Sequence, residues 1–146
     1  MATDGWQAGV AEVDITPPPG LEMCGYGPYE KRLGTDVLDP LQARALWLSA
    51  GEADALVIAA DLCVVTESLH EQIAAALQEK TGLPREALVL AASHTHSGPA
   101  TFPLIGWGQP NTDYLNALAR RLVDVGVAAH AARAPARIAF GHVRIE

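Results

Sequence analysis

The chain has 146 residues, 18% of them charged and 49% hydrophobic, which is the size of one domain and too apolar for a disordered segment. A formal net charge of −7 and a pI of about 5.1 argue against a sequence-independent hold on nucleic acid or on anionic membrane surfaces. No apolar run reaches the length of a membrane span, and Met1 to Trp6 lack the basic and apolar regions of a secretory leader, so the chain as written reads as cytoplasmic, without stable membrane insertion.

Residues 6–16 carry Val10, Val13 and Ile15 in partial alternation and read as a first strand. Pro17-Pro18-Pro19-Gly20 ends it, because successive prolines cannot donate to a ladder. Residues 21–40 turn to Gly25, Gly27, Pro28 and Gly34 with mixed charges, a loop of about twenty residues, longer than most connections and so a place for function or an insertion. Its most unusual piece is Met23-Cys24-Gly25-Tyr26-Gly27. Apolar residues 41–50 and 55–60, separated by Gly51-Glu52-Ala53-Asp54, predict a hairpin of one partly exposed and one buried strand, the second ending at Asp61.

Thr66 or Ser68 caps a helix to about Lys80, with Leu69, Ile73, Ala76 and Leu77 on one face, closed by Gly82 and Pro84. Residues 87–92 form a buried strand. Residues 100–112, with Phe102, Gly106, Trp107 and Pro110, read as a lid or pocket wall. Thr112 or Asp113 caps a helix through Ala132 with a Leu115, Leu118, Leu122 and Val125 stripe, and residues 136–145 form a last strand. The order β, β, β, α, β, α, β predicts an α/β architecture, a mixed, partly parallel sheet flanked by helices. A chain that stops in or just after a strand reads as the leading part of a larger α/β catalytic domain.

Candidate chemistry concentrates in Ser93-His94-Thr95-His96-Ser97-Gly98-Pro99, directly after the apolar run 87–92, where open α/β folds build sites. On an extended segment His94 and His96 point to the same side. Imidazole nitrogens are common zinc ligands, and Ser93, Thr95 and Ser97 offer hydroxyls that fix ring tautomers. A bare His-x-His also arises without any metal, and spacing alone leaves that open.

His70, His130 and His142 are weaker candidates. Asp61 either orients a histidine or caps a turn. Arg44, isolated in an apolar strand, needs a carboxylate, with Asp61 or Asp36 available. Cys24 and Cys63 lack CxxC neighbours, which favours two reduced thiols, at least one buried, over a disulfide or cysteine zinc site. Walker A, GxGxxG and GxSxG patterns are absent from the sequence, so nucleotide binding and the usual serine-hydrolase plan have no support.

Taken in order, the motifs resemble the neutral/alkaline (non-lysosomal) ceramidases. Residues 9–16, Gly-Val-Ala-Glu-Val-Asp-Ile-Thr, resemble the family's opening strand, Met23-Cys24-Gly25-Tyr26 its Met-x-Gly-Tyr loop, and Ala43-Arg44-Ala45 its Ala-Arg-Ala strand. Ala60-Asp61-Leu62 resembles its Asp-containing strand end, and residues 93–99 its Thr-His-Thr-His-Ser-Gly-Pro block, the most specific match.

The resemblance implies that residues 1–146 are the N-terminal portion of a zinc-dependent amidohydrolase that cleaves the N-acyl amide of ceramide. It implies Zn2+ as cofactor, His94 as a metal ligand, His96 as the catalytic and substrate-binding residue beside the reacting group, and Gly25 as a residue lining the substrate pocket. The implied partner is a lipid-like small-molecule substrate, not nucleic acid. The family completes its zinc site with a later histidine, glutamate and tyrosine, so the segment alone is expected to be inactive. Phe102 to Trp107 either shape a mouth for a lipid chain or pack on their own domain. A different amide or ester substrate, and a non-catalytic α/β binding module, are the alternatives.

Overall fold

In the computed structural model, residues 5–27 and 31–144 are described. The framework is a five-stranded sheet, built from β1 (Gln7–Asp14), β3 (Gln42–Ala50), β4 (Ala53–Ala60), β5 (Leu88–Ala92) and β7 (Ala134–Pro135), in the order β5-β4-β3-β1-β7. Two short strands, β2 (Met23–Cys24) and β6 (Gly98–Pro99), pair with one another outside that sheet. The helices are α1 (Glu67–Thr81) and α2 (Thr112–Ala131).

Every pairing in the large sheet is antiparallel except β4 with β5. Those two are joined through α1, the kind of crossover a parallel pair needs. Their C-terminal ends therefore lie at the same rim, and Asp61 and the histidine block both begin there.

One sheet face is built for the helices. Trp47, Leu56 and Ile58 are fully buried on it, in one core with Leu118 and Leu122 of α2 and Ile73 and Leu77 of α1. Each such side chain contributes about 1.5–3 kcal/mol of burial. The helix layer sits close because small residues admit it: a β-carbon at Gly9 would lie 2.0 Å from the Ala129 carbonyl oxygen, and one at Gly126 would lie 2.9 Å from Leu77 Cδ2.

Thr66 caps α1, its Oγ1 accepting from the Leu69 amide at 3.2 Å, and Gly82 ends it at φ 78°. The cap of α2 is Asn111, whose Oδ1 accepts from the Tyr114 amide at 2.9 Å, and not Thr112 or Asp113, which lie within the first turn. The buried stripe of α1 includes Ala74, whereas Ala76 is only partly covered.

Two expectations need correction. The last strand is not 136–145 but Ala134–Pro135, paired to Ala8 and Gln7. Because that pairing is antiparallel, the chain then runs past the N-terminal end of β1, where the Ala136 amide donates to the Trp6 carbonyl at 2.8 Å and residues 137–144 carry no strand; residue 145 lies outside the described residues. Nor is 21–40 a simple loop. Glu22 bridges to Leu33, the Met23 amide donates to the Arg32 carbonyl, and β2 lies within it, residues 28–30 being outside the description. The hairpin partners β3 and β4 are also alike, each with one buried and one largely exposed face.

Candidate functional site

β5 delivers the histidine block to the rim. The Ser93 amide still donates to the Ala60 carbonyl and the His94 amide to the Leu62 carbonyl, at 2.9 and 3.0 Å. At His94 the backbone then leaves the extended form, with φ 63°, a left-handed conformation uncommon for a residue with a β-carbon and often found at functional sites.

The rings of His94 and His96 do meet, but through this bend and not through strand alternation. His94 Nδ1 lies 2.8 Å from the Cys63 carbonyl oxygen. A carbonyl only accepts, so Nδ1 carries the proton and Nε2 is left with a free lone pair. That Nε2 lies 3.2 Å from His96 Nε2, and the rings meet edge to face.

The loop around β2 closes over the block. Met23 pairs with Pro99 and Cys24 with Gly98, which sets Gly25 against His96. A β-carbon at Gly25 would lie 2.4 Å from His96 Cβ, and the φ of 101° also requires glycine. Tyr26 meets the His96 ring edge-on at 5.2 Å and carries the Arg32 guanidinium at 5.1 Å. Arg32 Nη2 donates to the carbonyls of both Cys24 and His96, the latter at 2.9 Å.

Arg32 was not legible from the sequence. It lies between Lys31 and Leu33 without a motif, and its partner is 64 residues away.

Two imidazole nitrogens on one tetrahedral zinc at ordinary bond lengths stand about 3.3 Å apart. The observed 3.2 Å between the Nε2 atoms is close to that spacing and is also a hydrogen-bonding distance, so an ion on His94 Nε2 would have His96 Nε2 beside it, and a backbone carbonyl on the far nitrogen is a common support for a ligating histidine. Cys63 is close to both histidines, yet it is a poor ligand for the same ion. Its Sγ lies 4.0 Å from His94 Nδ1, the edge already bound to a carbonyl. Burial, then the neighbouring Cys24 thiol, push the Cys63 thiol up to about 11 with no ion bound. Both cysteines are free and buried.

The other predicted residues lie elsewhere. Asp61 Oδ2 accepts from the Gln42 amide at 3.0 Å and lies 3.8 Å from Arg44 Nη1, so it closes a strand end and orients no histidine. Arg44 also approaches Glu12, at 3.7 Å, a partner the sequence did not suggest. His70 Nε2 is 3.3 Å from the Leu88 carbonyl, and His130 packs on Trp47. Phe102 and Trp107 pack against the Cys24, Cys63 and Ala100 cluster of their own domain, whereas Ile105 is exposed.

The sequence matches the family described as neutral/alkaline non-lysosomal ceramidase, N-terminal, over residues 6–146. The neutral ceramidase of Pseudomonas aeruginosa is similar in structure, with a TM-score of 0.80 and 24% identity over 90% of this chain and 22% of that one. A ceramidase solved in complex with C2 superposes with a TM-score of 0.79 and 25% identity, over the same shares of each chain. The chain thus spans about a fifth of the length of the ceramidases it matches. On the match across residues 6–146, the chain belongs to the neutral/alkaline non-lysosomal ceramidase family, in the N-terminal part of that family's sequence.

Proposed function

We propose that this chain works within a ceramidase-length polypeptide as the N-terminal part of a zinc-dependent amide hydrolase, acting on ceramide or a similar N-acyl amide. His94 holds the metal through Nε2, His96 acts beside the reacting group, and Gly25 lines the substrate pocket. The observation that carries this reading is the pair of Nε2 atoms 3.2 Å apart, with His94 Nδ1 held by the Cys63 carbonyl. Family membership supplies the reaction class.

Zinc, when bound, supplies polarisation of the acyl carbonyl and acidification of a water. The chain's own contribution is positional. The Cys63 carbonyl fixes the His94 tautomer and ring plane, so Nε2 needs no reorientation to receive an ion. His96, backed by Gly25 and edged by Tyr26, presents Nε2 to the same space, where it can donate to an oxygen that gains negative charge. Among the described residues His94 is the donor assigned to the ion, with His96 Nε2 kept for the substrate, and tight binding needs more. The remaining ligands would come from elsewhere in the longer polypeptide.

The test is metal content and hydrolysis of an N-acyl sphingoid amide by the ceramidase-length protein and its His94→Ala variant. The expected result is one zinc per chain, lost with activity in the variant. Full zinc occupancy in His94→Ala would overturn the assignment of His94, and zinc occupancy without amide hydrolysis would overturn the reaction.

A further inference from the structure

The sheet has a second face, and it is apolar. On the side away from the helices, Val10 of β1 pairs with Leu46 of β3, Leu46 with Val57 of β4, and Val57 with Val89 of β5. These four form one line across four strands, and they are 69%, 37%, 36% and 53% exposed respectively. The flanking positions Leu48, Ala55, Ala59 and Ala91 are also aliphatic. Strands apolar on both faces are the pattern of a sheet covered on both sides, and a contiguous aliphatic patch of this kind is unusual on a free surface.

Arg44 on this face lies 3.7 Å from Glu12 and 3.8 Å from Asp61, so a covering layer would not strand its guanidinium as a lone charge. With a net charge of −7, an anionic lipid surface is a poor match.

We infer that this face is the inner surface of a sheet-on-sheet sandwich, and that its occupant is a second β-sheet from the rest of a ceramidase-length polypeptide. Short and β-branched residues repeating once per strand, about 4.8 Å apart, suit the aligned face of another sheet. Proteins of this family matched in structure have nearly four fifths of their length outside the matched part, enough to supply such a layer. Asp61 and the histidine block lie at one rim of the sheet, so the covering layer would arrive beside the site that needs further ligands. The inference rests on the reading that the chain works inside a longer polypeptide, but not on the reaction catalysed.

The test is thiol labelling of the ceramidase-length protein. Native Cys24 and Cys63 are buried, at 0% and 3% exposure, so an introduced thiol gives a clear signal over them. Val10→Cys and Val57→Cys report the face, with Gln72→Cys, exposed on α1, as reference. A small maleimide should label Gln72→Cys at close to the unfolded-state rate and the two face variants at least 100-fold more slowly, independent of protein concentration. Labelling of Val10→Cys and Val57→Cys as fast as the reference would overturn the inference. Protection that disappears on dilution as a dimer dissociates would also overturn it, in favour of a second copy of the chain. Protection in a protein that hydrolyses no amide would leave the inference standing and remove the proposed reaction alone.

Discussion

Gly25 is in contact with His96 at a distance that admits no side chain: a β-carbon there would lie 2.4 Å from His96 Cβ and 2.6 Å from Cγ. The loop carrying Gly25 is tied to the block by β2 and β6, so the clash cannot be relieved without parting that pair. Gly25→Ala should push His96 out of line with His94. A displacement of about 1 Å at a reacting centre costs on the order of 100-fold in rate, and the left-handed φ adds about 1–3 kcal/mol of backbone strain. The checks are kcat for N-acyl amide hydrolysis and the thermal midpoint of the ceramidase-length protein. Unchanged kcat would show that His96 has room to move without consequence.

Arg32 joins the two halves of the site by donating to the carbonyls of Cys24 and His96 from one nitrogen. Its guanidinium also lies over Tyr26. Lysine offers a point charge without the planar fork, so Arg32→Lys should behave much like Arg32→Ala. Each should cost about 1.5–3 kcal/mol, the range for hydrogen bonds to a charged group, with a loss of zinc affinity as the loop loosens. Urea melts and zinc titration of the two variants check this. Rescue of both properties by lysine would show that charge alone suffices.

The far end of the sheet should make the protein sensitive to acid. Burial opposes ionisation of Asp54, but the hydrogen bonds it accepts from Ser49 and Trp47 and the Arg133 charge outweigh burial, and its carboxyl is held below the usual range. His130 is held below its ordinary value by burial first and by Arg133 second. Both groups have depressed folded-state values, so both stabilise the fold above their unfolded values and lose that contribution as pH falls. For His130 the loss begins as pH drops below its ordinary 6.5, and for Asp54 below 3.8. Urea midpoints should therefore fall on acidification from pH 7 to 5, and His130→Gln should flatten that slope. Asp54→Asn should remove about 1–3 kcal/mol at neutral pH, because Trp47 Nε1 and Ser49 lose a charged acceptor. A wild-type midpoint that is flat from pH 7 to 5 would contradict the His130 assignment.

What the sequence revealed follows the range of the interactions. Both helices were legible because their stripes, such as Leu118 and Leu122, need only a local period. The parallel β4–β5 pair followed from the helix between them. By type alone Asn111, Thr112 and Asp113 are all good cap residues, and only backbone geometry picks out Asn111. The short β7 was misplaced because its register is set by Gln7 and Ala8 at the other end of the chain. The histidine pair was visible as a spacing, but the left-handed turn at His94 and the hold on its ring by the Cys63 carbonyl were not. Arg32 is the extreme case, since its role exists only after distant segments meet.

The fold binds its histidine block with much less than it binds its sheet. Strands β3 and β4 are nine and eight residues long, whereas β2 and β6 have two residues each. A ladder that short carries few backbone hydrogen bonds of its own, so the site geometry leans on the burial of Cys24 and Pro99 and on the two bonds from Arg32. A change at Arg32 can therefore loosen the approach of Gly25 to His96 while Trp47 and the helix layer stay packed.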